Sequence, residues 1–197
     1  MSGRDDILRA LRRAAPPPLP LPEWSGRAMR FDDPVSSFLK SVAAVAGTPL
    51  RVPDLAAADA AVRGLETWTR ARLTASLVPG VGRSSLDLDS VGAPQDLRDL
   101  EVAVVSGAPA VAENGAVWIP GSRLGRHRAV FVIAEHLVLV VKAEDVVHTM
   151  HQAYDRIRLE RPGWGCFVSG PSKTADIEQA LVIGAHGARS CAVVVVG

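Results

Sequence analysis

The sequence predicts an α/β fold built on a mainly parallel, locally mixed sheet with helices on both faces. Two observations carry this. Its strand candidates, such as residues 137–141 and 191–196, are apolar at every position, as strands buried on both sides must be. Between them stand segments with apolar residues at helical spacing, so strands and helices alternate along the chain. The alternation loosens between residues 101 and 141, where strand follows strand and a small antiparallel excursion is expected.

Residues 5–15 read as a short helix with Ile7, Leu8 and Leu11 on one face. The prolines between residues 16 and 22 force an extended connection after it. Residues 1–22 therefore form an N-terminal helix and Pro-rich arm, expected to dock on the domain or on a partner. Residues 23–197 form a single domain. Asp32 or Asp33 before Pro34 opens a helix that Gly47 closes. A strand at 49–52, a helix at 55–70 and a strand at 73–78 follow. The next loop, with Gly80, Gly82, Arg83 and Ser84, either closes over a ligand or is a plain surface connection. Residues 101–105 form a strand, and 110–119 a hairpin around Asn114-Gly115, a strong turn signal between apolar runs. Strands are expected at 131–133 and 137–141, and an amphipathic helix at 144–158. A strand at 166–168, a helix at 174–183 stopped by Gly184, and a strand at 191–196 complete the chain.

With 197 residues, 48% of them hydrophobic, the chain is long enough for one domain with a buried core. A formal net charge of +1 makes no case for nucleic acid or an anionic membrane. The two cysteines, Cys166 and Cys191, lie in apolar runs without metal-ligand spacing. They read as reduced thiols, and an iron–sulfur cluster held by this chain alone is excluded, since four thiolates are usually needed. Residues 1–15 lack the apolar core of a signal peptide, so a cytoplasmic protein without membrane insertion is expected.

The segment 169–178 is the richest in chemistry. It follows an apolar run and precedes a helical pattern, so a strand-to-helix junction at the carboxyl edge of the sheet is expected. Unpaired amide groups of a helix start attract anions. Gly170 allows close backbone approach, and Ser172, Lys173 and Thr174 add donors. Lys173 is one of only three lysines, with Lys40 and Lys142. Asp176 and Glu178 bring negative charge into the same turn, which favours a small carboxylate or the polar edge of a nucleotide over a dedicated phosphate loop. The plainer alternative is a capped turn, Ser172 or Thr174 being the cap.

Residues 170–178 followed by Gly184-Ala185-His186-Gly187 resemble the C-terminal signature of the lactate-utilization protein C family (LutC/YkgG, the LUD domain). That family's form is close to G-P-S-[RK]-T-A-D-I-E and then G-x-H-G-P, with Ala188 here in place of the proline. Residues 112–117 resemble its A-E-T-G-T segment, with Asn114 and Ala116 where hydroxyls are usual. The resemblance implies a three-layer α/β/α fold of the NagB/RpiA/CoA-transferase-like type. It implies a component of an L-lactate oxidation system rather than an independent catalyst. This component has no cluster of its own; the iron–sulfur clusters belong to two partner subunits. A stand-alone transferase or ligase and an assembly subunit are the alternatives.

Two residues are catalytic candidates. Glu113 takes the position of an acyl-accepting carboxylate by analogy with CoA-transferase-type folds, or is a polar hairpin end. His186 is an acid, base or carboxylate-binding donor, or a histidine packed at a helix terminus. His148 and His151 stand three apart on an expected helix and lack a third metal ligand. Arg123, Arg126, His127 and Arg128 make a basic cluster that is either solvated or faces an acidic partner. Trp24, Trp118 and Trp164 lie near loops or strand ends, as core or interface residues.

Overall fold

A computed structural model describes residues 3–17, 19, 20, 22, 29–159, 163–176 and 180–197. In chain order it contains α1 (Gly3–Ala14), α2 (Pro34–Ala44), β1 (Thr48–Val52), α3 (Leu55–Arg63), α4 (Glu66–Arg70) and β2 (Thr74–Ser76). Then come β3 (Val102–Ser106), β4 (Ala110–Val111), β5 (Ala116–Pro120), α5 (Gly121–Leu124), α6 (Val130–Ile133) and β6 (His136–Lys142). The last are β7 (Val146–Val147), α7 (Met150–Arg156), β8 (Gly165–Val168), β9 (Lys173–Thr174), β10 (Val182–Ile183) and β11 (Ser190–Val196).

The central sheet has five strands in the order β1-β11-β6-β3-β2, every pair parallel. Strand side chains alternate between faces, and both faces are apolar. On β6 and β11, Leu137, Leu139, Val141, Cys191, Val193 and Val195 enter one core; Val138, Val140, Ala192 and Val194 enter the other. The second core is closed by Ala58 and Val62 of α3. The first is closed by Phe38 and Val42 of α2, by α6 and by a second sheet. Helices thus lie on both faces of a mainly parallel sheet, the three-layer arrangement expected.

The second sheet, β7-β4-β5-β8, is the mixed excursion. Its β4–β5 pair is the antiparallel hairpin around Asn114-Gly115, β8 runs antiparallel to β5, and β7 runs parallel to β4. β8 therefore belongs to this sheet and not to the central one.

Local signals placed several elements. Asp33 caps α2 by accepting the Ser36 amide at 3.0 Å, which with the Ser36 hydroxyl holds its carboxyl below the ordinary range. Asp54 caps α3 through the Ala57 amide at 2.7 Å. Elsewhere tertiary structure overrides the pattern. The helix expected over 55–70 breaks at Gly64. The strand expected at 131–133 is the helix α6, with Val130 and Phe131 buried and the Ile133 amide bonded to the Ala129 carbonyl. Of the helix expected over 144–158 only α7 forms, preceded by strand β7. The arm is expected to dock on the domain or on a partner; its described helix α1 is not packed into the core of the domain. α1 buries none of its residues, and Ile7 and Leu11 stay exposed. Trp24 lies outside the described residues. No helix among those described is long and apolar enough to cross a membrane.

Candidate functional site

The two motif segments meet on the C-terminal half of α2. Gly115, at φ 68°, lies so close to α2 that a Cβ would stand 2.9 Å from the backbone of Ser41 and Val42. Ser41 Oγ donates to the Ala112 carbonyl at 2.6 Å. In the other segment Gly170, at φ 72°, abuts the Val45 carbonyl, which a side chain would strike. Ser169 Oγ joins the two by donating to the Asn114 carbonyl at 2.8 Å.

Beyond Gly170 the chain forms a hairpin and not a helix. β9 pairs antiparallel with β10, the Gly184 amide donates to the Ser172 carbonyl at 2.8 Å, and the Ser172 amide donates to Ala188 at 2.9 Å. None of the described residues between 174 and 183 is helical; Glu178 lies outside them. Ala188 lies just before β11, separated from it by Arg189, so the hairpin sits at the amino edge of the central sheet. The expectation of a helix N-terminus at the carboxyl edge is corrected on both counts. The pattern of residues 174–183 is compatible with a helix, but both ends of the segment are anchored by strand pairing that a helix would break.

Lys173 anchors that corner. Its Nζ donates to the carbonyls of Val45 at 2.9 Å, Pro171 at 3.0 Å and Ser169 at 3.2 Å, the three donors of an ammonium group. Val45 is the C-cap of α2, so the charge also meets the negative end of that helix. Thr174 Oγ1 accepts the Asp176 amide at 3.3 Å, a local turn contact.

Glu113 is occupied too. Its Oε1 accepts the Met150 amide at 2.6 Å, capping α7 beside Thr149, and its amide donates to the His148 carbonyl. His186 is exposed in the loop 184–187, where Gly187 packs on Ser172. No hydrogen bond among the described residues brings Glu113 and His186 together. His148 lies before α7, its Nδ1 accepting the Phe31 amide at 3.0 Å, so it shares no helix face with His151. No group of three metal-ligating side chains occurs among the described residues. Cys166 is half-buried and Cys191 buried; burial raises the first thiol and pushes the second up to about 12. Trp118 packs on Phe167, and Trp164 lies beside Phe131.

Arginines line several clefts among the described residues, and two of these carry arginines singled out in the sequence. The first, of about 510 Å³, runs between residues 91–97 and 126–129. Val91, Pro94, Leu97 and Ala129 give it an apolar wall, and Arg126, His127 and Arg128 a basic one. Arg126 is held by the Asp89 carbonyl at 2.6 Å. Burial, aided by Arg126 and opposed by Asp89, lowers the proton affinity of His127. The second cleft, of about 540 Å³, is lined by Arg63, Trp68, Arg72, Thr74, Arg83 and Ser84–Ser85. Arg83, Ser84 and the basic run 126–128 were visible in the sequence. Arg63 and Arg72 were not, because arginines spread over two elements leave no local signal.

Comparison with known proteins places this arrangement. Residues 93–196, which span the central sheet from β3 to β11 and both motif segments, match the LUD domain. The chain belongs to the LUD domain family. A LUD-family relative named Lactate utilization protein C in Geobacillus thermodenitrificans is 30% identical over 203 residues, covering 98% of this chain and 80% of that protein. Its namesake in Geobacillus kaustophilus is 30% identical over 80% of this chain. Another, in Shouchella clausii, is 31% identical over 54%. The matches cover 66% and 49% of the lengths of these last two, so the chain spans only part of them. The LUD fold is also seen in the crystal structure of a DUF162 family protein from Deinococcus radiodurans. It is 15% identical with a TM-score of 0.63, covering 86% of this chain and 99% of that one.

Proposed function

We propose that this chain is a component of a lactate utilization system that supplies no redox cluster of its own and binds a small carboxylate in the cleft between residues 91–97 and 126–129. The family match over residues 93–196, with a relative named Lactate utilization protein C aligned to 98% of this chain, is the observation that carries this reading. The cleft lies within or beside that matched segment and offers what a 2-hydroxy or 2-keto acid needs. Arg128 supplies a planar cation for a carboxylate. Leu97 and Pro94 supply apolar surface for a short alkyl group. His127 supplies a hydrogen-bonding ring nitrogen for the neighbouring oxygen.

With two cysteines in the sequence, electron transfer falls to other proteins, and two iron–sulfur subunits are the partners proposed. The exposed apolar face of α1 favours an assembly role alongside ligand binding. The reading of Glu113 as a transferase nucleophile loses support, since that carboxylate caps α7.

Deleting the gene should abolish growth on L-lactate, and the intact chain should restore it; undiminished growth rejects the lactate reading. Calorimetry with L-lactate and pyruvate tests the cleft, with Arg128→Gln as the control. Deleting residues 1–22 should remove co-purification with the partner subunits; surviving complexes reject the assembly role of the arm.

A further inference from the structure

The cleft beside β2 is chemically unlike the one assigned to the carboxylate. Three arginines line it from separate elements: Arg63 from the end of α3, Arg72 from the approach to β2, and Arg83 from the returning loop. Each is mounted on fixed backbone. The Arg83 carbonyl accepts from Thr74 Oγ1 at 2.9 Å, and the preceding Gly82 amide donates to Asp59 Oδ1 at 2.8 Å. The Arg72 carbonyl accepts from Ser85 Oγ at 3.1 Å, and its amide donates to the Glu101 carboxylate.

Two of the three arginines have a carboxylate neighbour, whereas no ion pair is seen for Arg83 among the described residues. Asp59 meets Arg63 at 3.7 Å while holding Gly82, and Glu101 lies 3.9 Å from Arg72 while accepting the Leu73 amide. Beside this array Trp68 offers an aromatic wall, held in place by Gly82, where a Cβ would meet the indole at 2.8 Å.

We propose that this cleft binds a phosphate-bearing small molecule whose flat body rests on Trp68. Planar guanidinium groups arriving from two sides suit a phosphate or diphosphate, which accepts paired hydrogen bonds from each. A monocarboxylate as small as lactate would satisfy one of them and leave the indole unused. At about 540 Å³ the space is of the size that takes a nucleotide-sized ligand. The proposal is independent of the lactate reading, because it draws on residues before the matched segment and on none of the carboxylate cleft.

Isothermal titration of the full chain with inorganic pyrophosphate, ADP and adenosine tests it. ADP and pyrophosphate should bind, adenosine weakly or not at all, with affinity falling as salt is raised. Arg83→Gln and Arg72→Gln, both on exposed side chains, should each weaken ADP roughly tenfold at unchanged urea midpoint. Arg128→Gln should leave ADP affinity untouched. The proposal is overturned if neither phosphate compound binds at millimolar concentration, if Arg83→Gln binds ADP as tightly as the parent, or if Arg128→Gln weakens ADP equally.

Discussion

At the motif hairpin, Lys173 gives its three hydrogen bonds to backbone carbonyls at the end of α2, and Ser172 bridges two strands through its own amide and carbonyl. In the two clefts, Arg83 and Arg128 face open volume. Both regions have the composition of an anion site. What separates them is whether the donors are already satisfied by the protein. A loop that reads as a cradle in one dimension becomes a clamp in three when a helix end lies within its reach, and the cations left facing open space are then those of the clefts.

The largest effect should come from the clamp. Gly170→Ala places a methyl group against the Val45 carbonyl at a backbone angle of +72°, which calls for the chain to shift or strain. A loss of about 3 kcal/mol in urea unfolding is expected. A loss within ~0.5 kcal/mol would break the claim that this corner is closely packed.

Lys173→Met keeps the bulk and removes three charge-assisted hydrogen bonds. Because the side chain is partly exposed, the expected loss is about 1–2 kcal/mol rather than the full value for buried groups. L-Lactate affinity should stay as it was. The reverse outcome, unchanged stability with lost binding, would return the anion to the hairpin and dissolve the contrast between the regions.

How much of this was legible in the sequence follows from the range of each interaction. The central sheet was readable because its signal is local: Leu137, Leu139 and Val141 alternate with Val138 and Val140, and both sets are apolar because both faces are covered. Asp33 and Pro34 marked a helix start through contacts within one turn. The hairpin was not readable as such. Its pairing joins Ser172 to Gly184 and Ala188, and its lysine reaches Val45 across 128 positions of chain. The same holds for Glu113, whose partner Met150 lies 37 positions away. Of the candidate residues, Gly170 was singled out for close backbone approach, Lys173 as a donor to an anion and Glu113 as a carboxylate nucleophile by analogy. In the structure Gly170 abuts the Val45 carbonyl, while Lys173 and Glu113 bond to backbone groups. Their roles lay in contacts that the linear chain does not display.

Arg128→Gln should act in the opposite way to the hairpin variants. It removes one exposed cation facing the apolar wall of the first cleft, so L-lactate affinity should fall roughly five- to tenfold, with the thermal midpoint unchanged. A fall in stability with intact affinity would make this arginine a structural element like Lys173.

Thiol reactivity sharpens the comparison without a substitution. Cys191 lies under the hairpin at the start of β11, with its thiol pushed up to about 12 by burial, whereas Cys166 is only half-buried. A thiol-disulfide reagent at pH 8 should label Cys166 slowly and Cys191 only on unfolding, because the reactive species is the thiolate. Labelling of both at equal rates in native buffer would mean that the hairpin opens readily and clamps nothing.

The smallest effect concerns the wall of the second cleft. Glu101 accepts the amides of Leu73 and Arg72, and these hydrogen bonds hold its carboxyl below its ordinary value of 4.5. The folded state therefore binds this proton less readily than the unfolded chain, and the stabilisation is complete above about pH 4.5. It declines as the pH falls through the lower folded value. In Glu101→Gln that share of the acid dependence should vanish, so parent and variant urea midpoints should differ most near neutrality and converge as the pH drops towards 3. A constant gap across that range would show that the carboxylate does not hold the Arg72 backbone by its charge. The frame proposed for the phosphate-binding arginines would then lack one of its supports.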